Sequence, residues 1–256
     1  MELLGTVSQL WRYPVKSFQG EQVERLELRP GGAVGDRLFG VVDPAAKKVL
    51  SAKRYPALLM ASARLLHDGN DTDVILTLPD GSEHEATDPA LHATLSAWLD
   101  HEVRLEPPPV DVVFPMEMHT GMSDESTPIF DWPGPPGTWL DLADVHWLTT
   151  ASLASAEALH PEGDWDVRRF RPTALIESAD EGWPEDSWTA IELGGVHSDV
   201  LMPTPRCTMP SRAQPGLEID RTIGTTIRDR HDNNLGVYAT IALGGAVVVG
   251  DTVYSR

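Results

Sequence analysis

The chain has 256 residues, of which 41% are hydrophobic and 23% charged, enough to bury a core as one large domain or two small ones. Its 20 Lys and Arg stand against 39 Asp and Glu, and the resulting net charge of −19 disfavours nucleic acid and anionic membranes as partners. No apolar run reaches the roughly 18 residues that span a bilayer, and the start, MELLGTVSQLWRYPVKS, lacks a basic stretch followed by an apolar one. The single cysteine, Cys207, cannot form an intrachain disulfide, so a reducing, cytoplasmic location is expected.

Short runs rich in β-formers fill the first hundred residues. Leu3–Trp11, Val23–Leu28, Leu38–Val42, Val49–Lys53, Leu58–Leu66 and Val74–Leu78 are expected strands. Turn chemistry separates them at Gly31-Gly32, Asp43-Pro44, His67–Asp73 and Asp80-Gly81. Asp88-Pro89 then opens a helix whose apolar stripe is Leu91, Leu95, Trp98 and Leu99. Strands of this spacing closed by one helix suggest a β-barrel-like unit.

Two spots are not explained by strand packing. In YPVKS, Lys16 and Ser17 follow a proline, where the first strand must end or bulge. In GDR, Asp36 and Arg37 precede an apolar strand. Each alone reads as a solvated turn, but at neighbouring strand ends Lys16 and Arg37 would converge on one anion.

Residues 106–140 change character. They are rich in Pro, Gly and acids, show no sustained period, and read as a connection between halves. His119, Asp124 and Glu125 match no metal-ligand spacing, so a solvated acidic loop is expected there.

Beyond the connection, Val145–Leu148 is an expected strand, and Thr149 or Thr150 caps a helix over Ala151–His160 with its free N–H groups turned to any anion. Arg168, Arg169 and Arg171 fall within four residues, either as a solvated edge or as a bidentate phosphate cradle. Thr173–Ile176 and Trp188–Leu193 are strand-like, and Gly194-Gly195 turns into Val196–Met202. That strand leads to Cys207, fenced by Pro203, Pro205 and Pro210 and preceded by Arg206, a cation that favours thiolate. A soft-metal ligand, a nucleophile and a small buried hydrophobe all remain open for Cys207. Asp220 caps a helix carrying Ile223 and Ile227, and Leu235–Leu243, Gly244-Gly245 and Ala246–Tyr254 read as a closing hairpin.

The pieces YPVKS, G-DR and SAKRYPALL, followed by LTTASL, RRFRPTALI, PTPRC and LGVYATI–GG–VVVGDTV, resemble in order and spacing the MOSC family with its N-terminal β-barrel domain. That family includes amidoxime-reducing components and the C-terminal part of molybdenum-cofactor sulfurases. The resemblance implies a mainly β fold with a few helices (α+β). An N-terminal β-barrel-like domain over 1–105 would pack on a MOSC β-barrel domain over 141–256, joined by 106–140. It implies a molybdenum cofactor (Mo-molybdopterin), with Cys207 as metal ligand and catalytic residue. Cofactor contacts would come from Lys16, Ser17, Arg37, Thr149, Thr150, Ser152, Arg169, Arg171, Thr173 and Arg206. Two departures stand out: the family's usual Asn after Arg-Pro is Thr173, and TMPSRAQPG follows the cysteine instead of the commoner T-x-V-D-P.

The implied function is an oxidoreductase that reduces N-hydroxylated or N-oxide small molecules. Electrons would come from a separate cytochrome b5-like, ferredoxin-like or flavin reductase protein. The alternative is a cofactor or sulfur carrier that uses Cys207 as acceptor without turnover. The sulfurases' pyridoxal-phosphate domain is absent, so this chain alone would not abstract sulfur from cysteine.

Overall fold

The structure is a computed structural model that describes residues 1–67, 73–110, 112–119 and 129–256. Seven strands close a barrel: β1 (Leu3–Arg12), β2 (Val145–Thr149), β3 (Ala174–Glu177), β4 (Ala190–Leu193), β5 (Val196–Pro205), β6 (Asn234–Leu243) and β7 (Thr252–Ser255). Around the ring the order is β1-β3-β2-β6-β5-β4-β7 and back to β1, with only β2 and β3 parallel. Closure leaves no open edge in the barrel wall.

Alternation explains which side chains fill it. Along β6, Val237, Ala239 and Ile241 point inward at period two, and they meet Val7 and Leu10 of β1, Trp147 of β2 and Ile191 of β4. The first strand therefore belongs to the wall built otherwise from residues beyond 144. Gly5 permits its close approach to β3, because a Cβ there would lie 2.2 Å from the Glu177 carbonyl oxygen. A second tie is the strand pair Arg25–Arg29 and Gly245–Val248, which adds Leu26, Leu28 and Val247 to the same core.

The other strands form small sheets around a second core of Val15, Phe18, Val41, Leu58, Leu76 and Leu105. Helix α1 (Leu91–Leu99) adds Leu91 and Leu95 from one face, as its stripe predicts. Helices α2 (Thr150–Leu159) and α3 (Arg221–Arg230) pack outside the barrel through Ala156, Ile223 and Ile227. Their caps follow the sequence: Thr149 accepts from the Ser152 amide, and Asp220 accepts from the Thr222 amide. Among the described residues the protein is thus mainly β with three α-helices, and none of its helices is long and apolar enough to cross a membrane.

Several elements differ from expectation. The expected strand Leu58–Leu66 begins as a 3-10 turn over Pro56–Met60, started by its proline, and only Ser62–Leu65 is extended. Val49–Lys53 keeps just Lys48–Val49 in a strand, and the turn after it re-aims Lys53. The closing hairpin does not form, because Gly245–Val248 pairs with Arg25–Arg29 and only Thr252–Ser255 enters the barrel. The connection, expected to show no regular element, contains a strand pair, Pro115–His119 with Ile129–Pro133. Asp124 and Glu125 lie outside the described residues. Among the described residues no three His, Cys, Asp or Glu stand together as a metal site.

Candidate functional site

The two unexplained motifs of the N-terminal third lie side by side. As β1 ends, the Tyr13 carbonyl accepts from the Arg37 amide at 2.8 Å, Pro14 from Phe39 at 3.1 Å, and Phe39 from Lys16 at 2.8 Å. This pairing carries YPVKS and GDR together to the rim of a cleft between the two cores. Ser17 and Arg37 hold left-handed backbone angles, with φ of 69° and 48°, and Arg171 opposite has φ of 53°. Each such conformation costs a non-glycine residue roughly 1–3 kcal/mol and persists only where its surroundings enforce it.

Tyr13 joins the halves. Its hydroxyl donates to the Pro172 carbonyl at 3.2 Å, and its ring lies against two guanidiniums, Arg37 at 4.8 Å and Arg171 at 4.2 Å. Cation–π attraction to the shared ring offsets part of the repulsion between the arginines. Asp36 pairs with the Arg37 guanidinium, and the Tyr13 amide donates to Asp36 at 2.7 Å. Burial, then Arg37, lowers Arg171 to about 10, so it remains a cation at neutral pH. Arg171 also donates to the Phe18 carbonyl, a second bond across the halves.

A further wall comes from Trp139–Asp144. Lys16 Nζ donates to the Trp139 carbonyl at 2.7 Å and to Asp141 Oδ1 at 2.6 Å, while Lys53 Nζ lies 3.8 Å from Asp141 Oδ2. Burial works against the Asp141 charge, but Lys16 first and Lys53 next hold its carboxyl far below the usual range. Burial lowers Lys16, and Asp141 opposes that shift. Burial would lower Lys53 too, yet Asp141 and then Cys207 overturn it and raise the amine. Lys53 is tethered by the Glu117 carbonyl at 2.6 Å, and the buried Glu117 carboxylate accepts from Ser51 at 2.6 Å and pairs with Arg54 at 2.7 Å.

The cysteine loop follows β5. The Arg206 amide donates to the Asn233 carbonyl and Asn233 Nδ2 returns a bond to the Arg206 carbonyl, each at 2.8 Å, which fixes the backbone just before Cys207. One Arg206 nitrogen donates to the Phe170 carbonyl at 3.0 Å, while its buried Nε has no partner among the described residues. His146 and Tyr238 complete this side, 5.7 Å apart between ring centroids. His146 Nε2 donates to the Leu235 carbonyl at 3.2 Å, and burial, then Arg206, lowers its pKa to about 3, so the ring is neutral. Gly236 allows this fit, since a Cβ there would stand 2.3 Å from His146 Nε2.

Eight of the sequence-derived site residues line this one cleft: Lys16, Ser17, Arg37, Arg169, Arg171, Thr173, Arg206 and Cys207. Arg169 lines it without being free, because its guanidinium is bound by the carbonyls of Asp164, Pro210, Arg212 and Glu218. Thr173 accepts from the His146 amide at 3.1 Å. Arg168 turns away to Asp166 and the Pro215 carbonyl. Thr149, Thr150 and Ser152 are not in the lining. The reason is Glu185, buried against the α2 N-terminus, where it accepts from Thr149 Oγ1 at 2.7 Å and the Thr149 amide at 3.3 Å. Burial raises the Glu185 carboxyl above the usual range even so. Thr150 accepts from the Ser178 amide instead.

Lys53, Asp141, His146 and Tyr238 also line the cleft, and sequence reasoning does not single them out. Only Lys53 leaves a signal, inside SAKRYP.

The cavity within the cleft measures about 110 Å³. Six basic side chains line it, Lys16, Arg37, Lys53, Arg169, Arg171 and Arg206, against two carboxylates, Asp141 and Asp144. In a chain of net charge −19 that is a strong local reversal of sign. With the unpartnered Arg206 Nε and a thiol beside it, the donor set fits an anionic, phosphate-bearing group that carries a thiophilic metal.

Residues 4–101 match the MOSC N-terminal beta barrel domain, and residues 140–254 match the MOSC domain. The chain is 25% identical to mitochondrial amidoxime reducing component 2 of Bos taurus and 25% identical to mitochondrial amidoxime-reducing component 1 of Homo sapiens. Each alignment covers 99% of this chain and 84% of the relative. A solved structure, the YUAD protein from Bacillus subtilis, is similar with a TM-score of 0.49 at 10% identity, over 97% of this chain and 93% of that one, a likeness too loose to carry an argument. Both domains match in sequence order and cover most of the chain, from the strand that closes the barrel to its last strand, and the chain belongs to the MOSC family.

Proposed function

We propose that this protein is a molybdenum-cofactor oxidoreductase of the cytoplasm that reduces N-hydroxylated or N-oxide small molecules. The observation that carries this reading is the cleft itself, where the single thiol of the chain shares one lining with six cations drawn from both halves. The similarity to proteins named amidoxime-reducing components supports the choice of reaction.

Cys207 would ligate the metal, and Lys16, Ser17, Arg37, Arg171, Thr173 and Arg206 would hold the phosphate and pterin. When bound, the metal supplies the two-electron chemistry of oxygen removal. The chain's own residues bind, orient and set the charge around it. Arg37 and Arg171, stacked on Tyr13, offer planar donors to a phosphate. His146 stays uncharged and adds no further cation, and Tyr238, raised by burial, keeps its hydroxyl proton at neutral pH. An N-hydroxylated substrate takes up two electrons and two protons and leaves as the amine plus water. The electrons come from a separate cytochrome b5-like, ferredoxin-like or flavin reductase protein.

The test is Cys207→Ser, produced in a host that makes the cofactor, with molybdenum, pterin and N-hydroxy reduction measured on the same preparations. The expected outcome is lost turnover with pterin partly retained, because a serine hydroxyl is a harder, protonated ligand. Full specific activity in a molybdenum-replete Cys207→Ser preparation removes the assignment. A metal-free wild type that carries cyanide-labile sulfur on Cys207 would instead establish a carrier.

A further inference from the structure

The cleft contains a carboxylate where its charge should repel the ligand. Asp141 Oδ1 is 2.6 Å from Lys16 Nζ and its Oδ2 is 3.8 Å from Lys53 Nζ. The Asp141 charge also bears on Arg37 and Arg171, so it stands amid four of the six cations. The other carboxylate of the lining, Asp144, is fixed elsewhere and accepts from the Gly31 and Ile241 amides at 3.1 and 3.0 Å.

The three members of this cluster are not equally anchored. Lys16 is tied to the Trp139 carbonyl and Lys53 to the Glu117 carbonyl, and their side chains are 8% and 6% exposed. Asp141 is 35% exposed, beside Leu142, which reaches solvent from the same segment. The lysines are therefore the fixed frame, and the aspartate is the partner with room to leave.

We propose that Asp141 is an internal counter-ion filling a second anion seat between Lys16 and Lys53, and that it makes the cleft select doubly charged, phosphate-class anions. The inference rests on the cleft being an anion site, as the proposed function requires. A carboxylate monoanion that displaces Asp141 exchanges one charge for an equal one and must also give up its own freedom. A phosphate dianion brings more charge and more acceptor oxygens to the same two ammonium groups, so only that class wins the exchange. Asp141 thereby lowers the affinity for every anion and lowers it most for the wrong ones.

The experiment uses metal- and pterin-free protein, with inorganic pyrophosphate and acetate as calorimetric probes. Asp141→Asn is expected to tighten pyrophosphate by about tenfold, the size of one charge-assisted contact, and to make acetate binding measurable. Adding Lys53→Met is expected to weaken pyrophosphate binding in the Asp141→Asn background. Unchanged or weaker pyrophosphate binding by folded Asp141→Asn overturns the proposal. Should that variant fail to fold, a crystal structure of the wild type with pyrophosphate decides. Asp141 displaced from Lys16 supports the seat, and Asp141 still paired with Lys16 beside a bound anion overturns it. These readouts involve no turnover, so the counter-ion can fail while molybdenum-dependent reduction stands, and the reverse.

Discussion

His146 is a titratable ring that keeps one charge state through the physiological range, and its surroundings explain why. It is buried on β2, faces Arg206, and gives its Nε2 proton to the Leu235 carbonyl. A proton on the other nitrogen would add charge to a crowded basic cleft. In the unfolded chain the same ring titrates near its ordinary 6.5, whereas the folded value is about 3. Between those values the unfolded state binds more protons, so stability rises with pH across the window and is lost as pH falls from 6.5 towards 3. His146→Gln, which can keep a donor towards Leu235, is expected to flatten this acid loss. Urea denaturation of wild type and variant at several pH values between 4 and 7 reads the difference. Parallel curves would show that His146 contributes nothing to it. Arg206 beside it illustrates what a sequence conveys about a single residue. Its place next to the only cysteine is legible, but its unpartnered Nε depends on contacts with Phe170 and Asn233, distant in sequence.

At the scale of elements, the N-terminus of α2 shows where a motif and its surroundings part. Thr149 caps the helix, as the hydroxyl-rich LTTASL predicts, but the anion at that end is the protein's own Glu185. Thr149→Ala removes the cap and a donor to a buried carboxylate, and should cost about 1–2 kcal/mol in chemical denaturation. Pyrophosphate binding to the cleft should not change, because Thr149 lies outside the lining. A parallel fall in that binding would place the helix end in the site after all. The caps at Thr149 and Asp220 and the α1 stripe were readable because they depend on neighbours three or four residues away. Glu185 was not, since it reaches the helix from 36 residues downstream. The strand pair of Pro115–His119 and Ile129–Pro133 escaped for a related reason. It is held by Glu117 against Ser51 and Arg54, far back in the chain, and its own sequence shows little alternation. Lys53 is delivered to the cleft by the turn that ended its expected strand early.

For the whole molecule, the division of the sequence into halves and the division into cores do not coincide along β1. The strand packs Val7 and Leu10 into the barrel core with Trp147, Ile191 and Val253, and then runs directly into Tyr13 and Lys16 at the cleft. The cleft is therefore built on a strand whose pairing partners all lie beyond residue 170, apart from the short Glu21–Val23 strand. This arrangement makes a prediction that separates the two cores. Leu10 and Leu76 are both fully buried, one in each core. Either leucine to alanine should cost about 2–5 kcal/mol, from lost burial and the cavity left behind. Hydrogen exchange should then tell them apart, because local opening follows the contacts that were weakened. Leu10→Ala should speed exchange in β3 and β7 and leave the Ser62–Leu65 and Val74–Thr77 sheet near its wild-type rates. Leu76→Ala should do the opposite. If Leu10→Ala instead loosened the 62–77 sheet and spared β7, the first strand would belong energetically to the N-terminal core, and the barrel would not depend on it for closure.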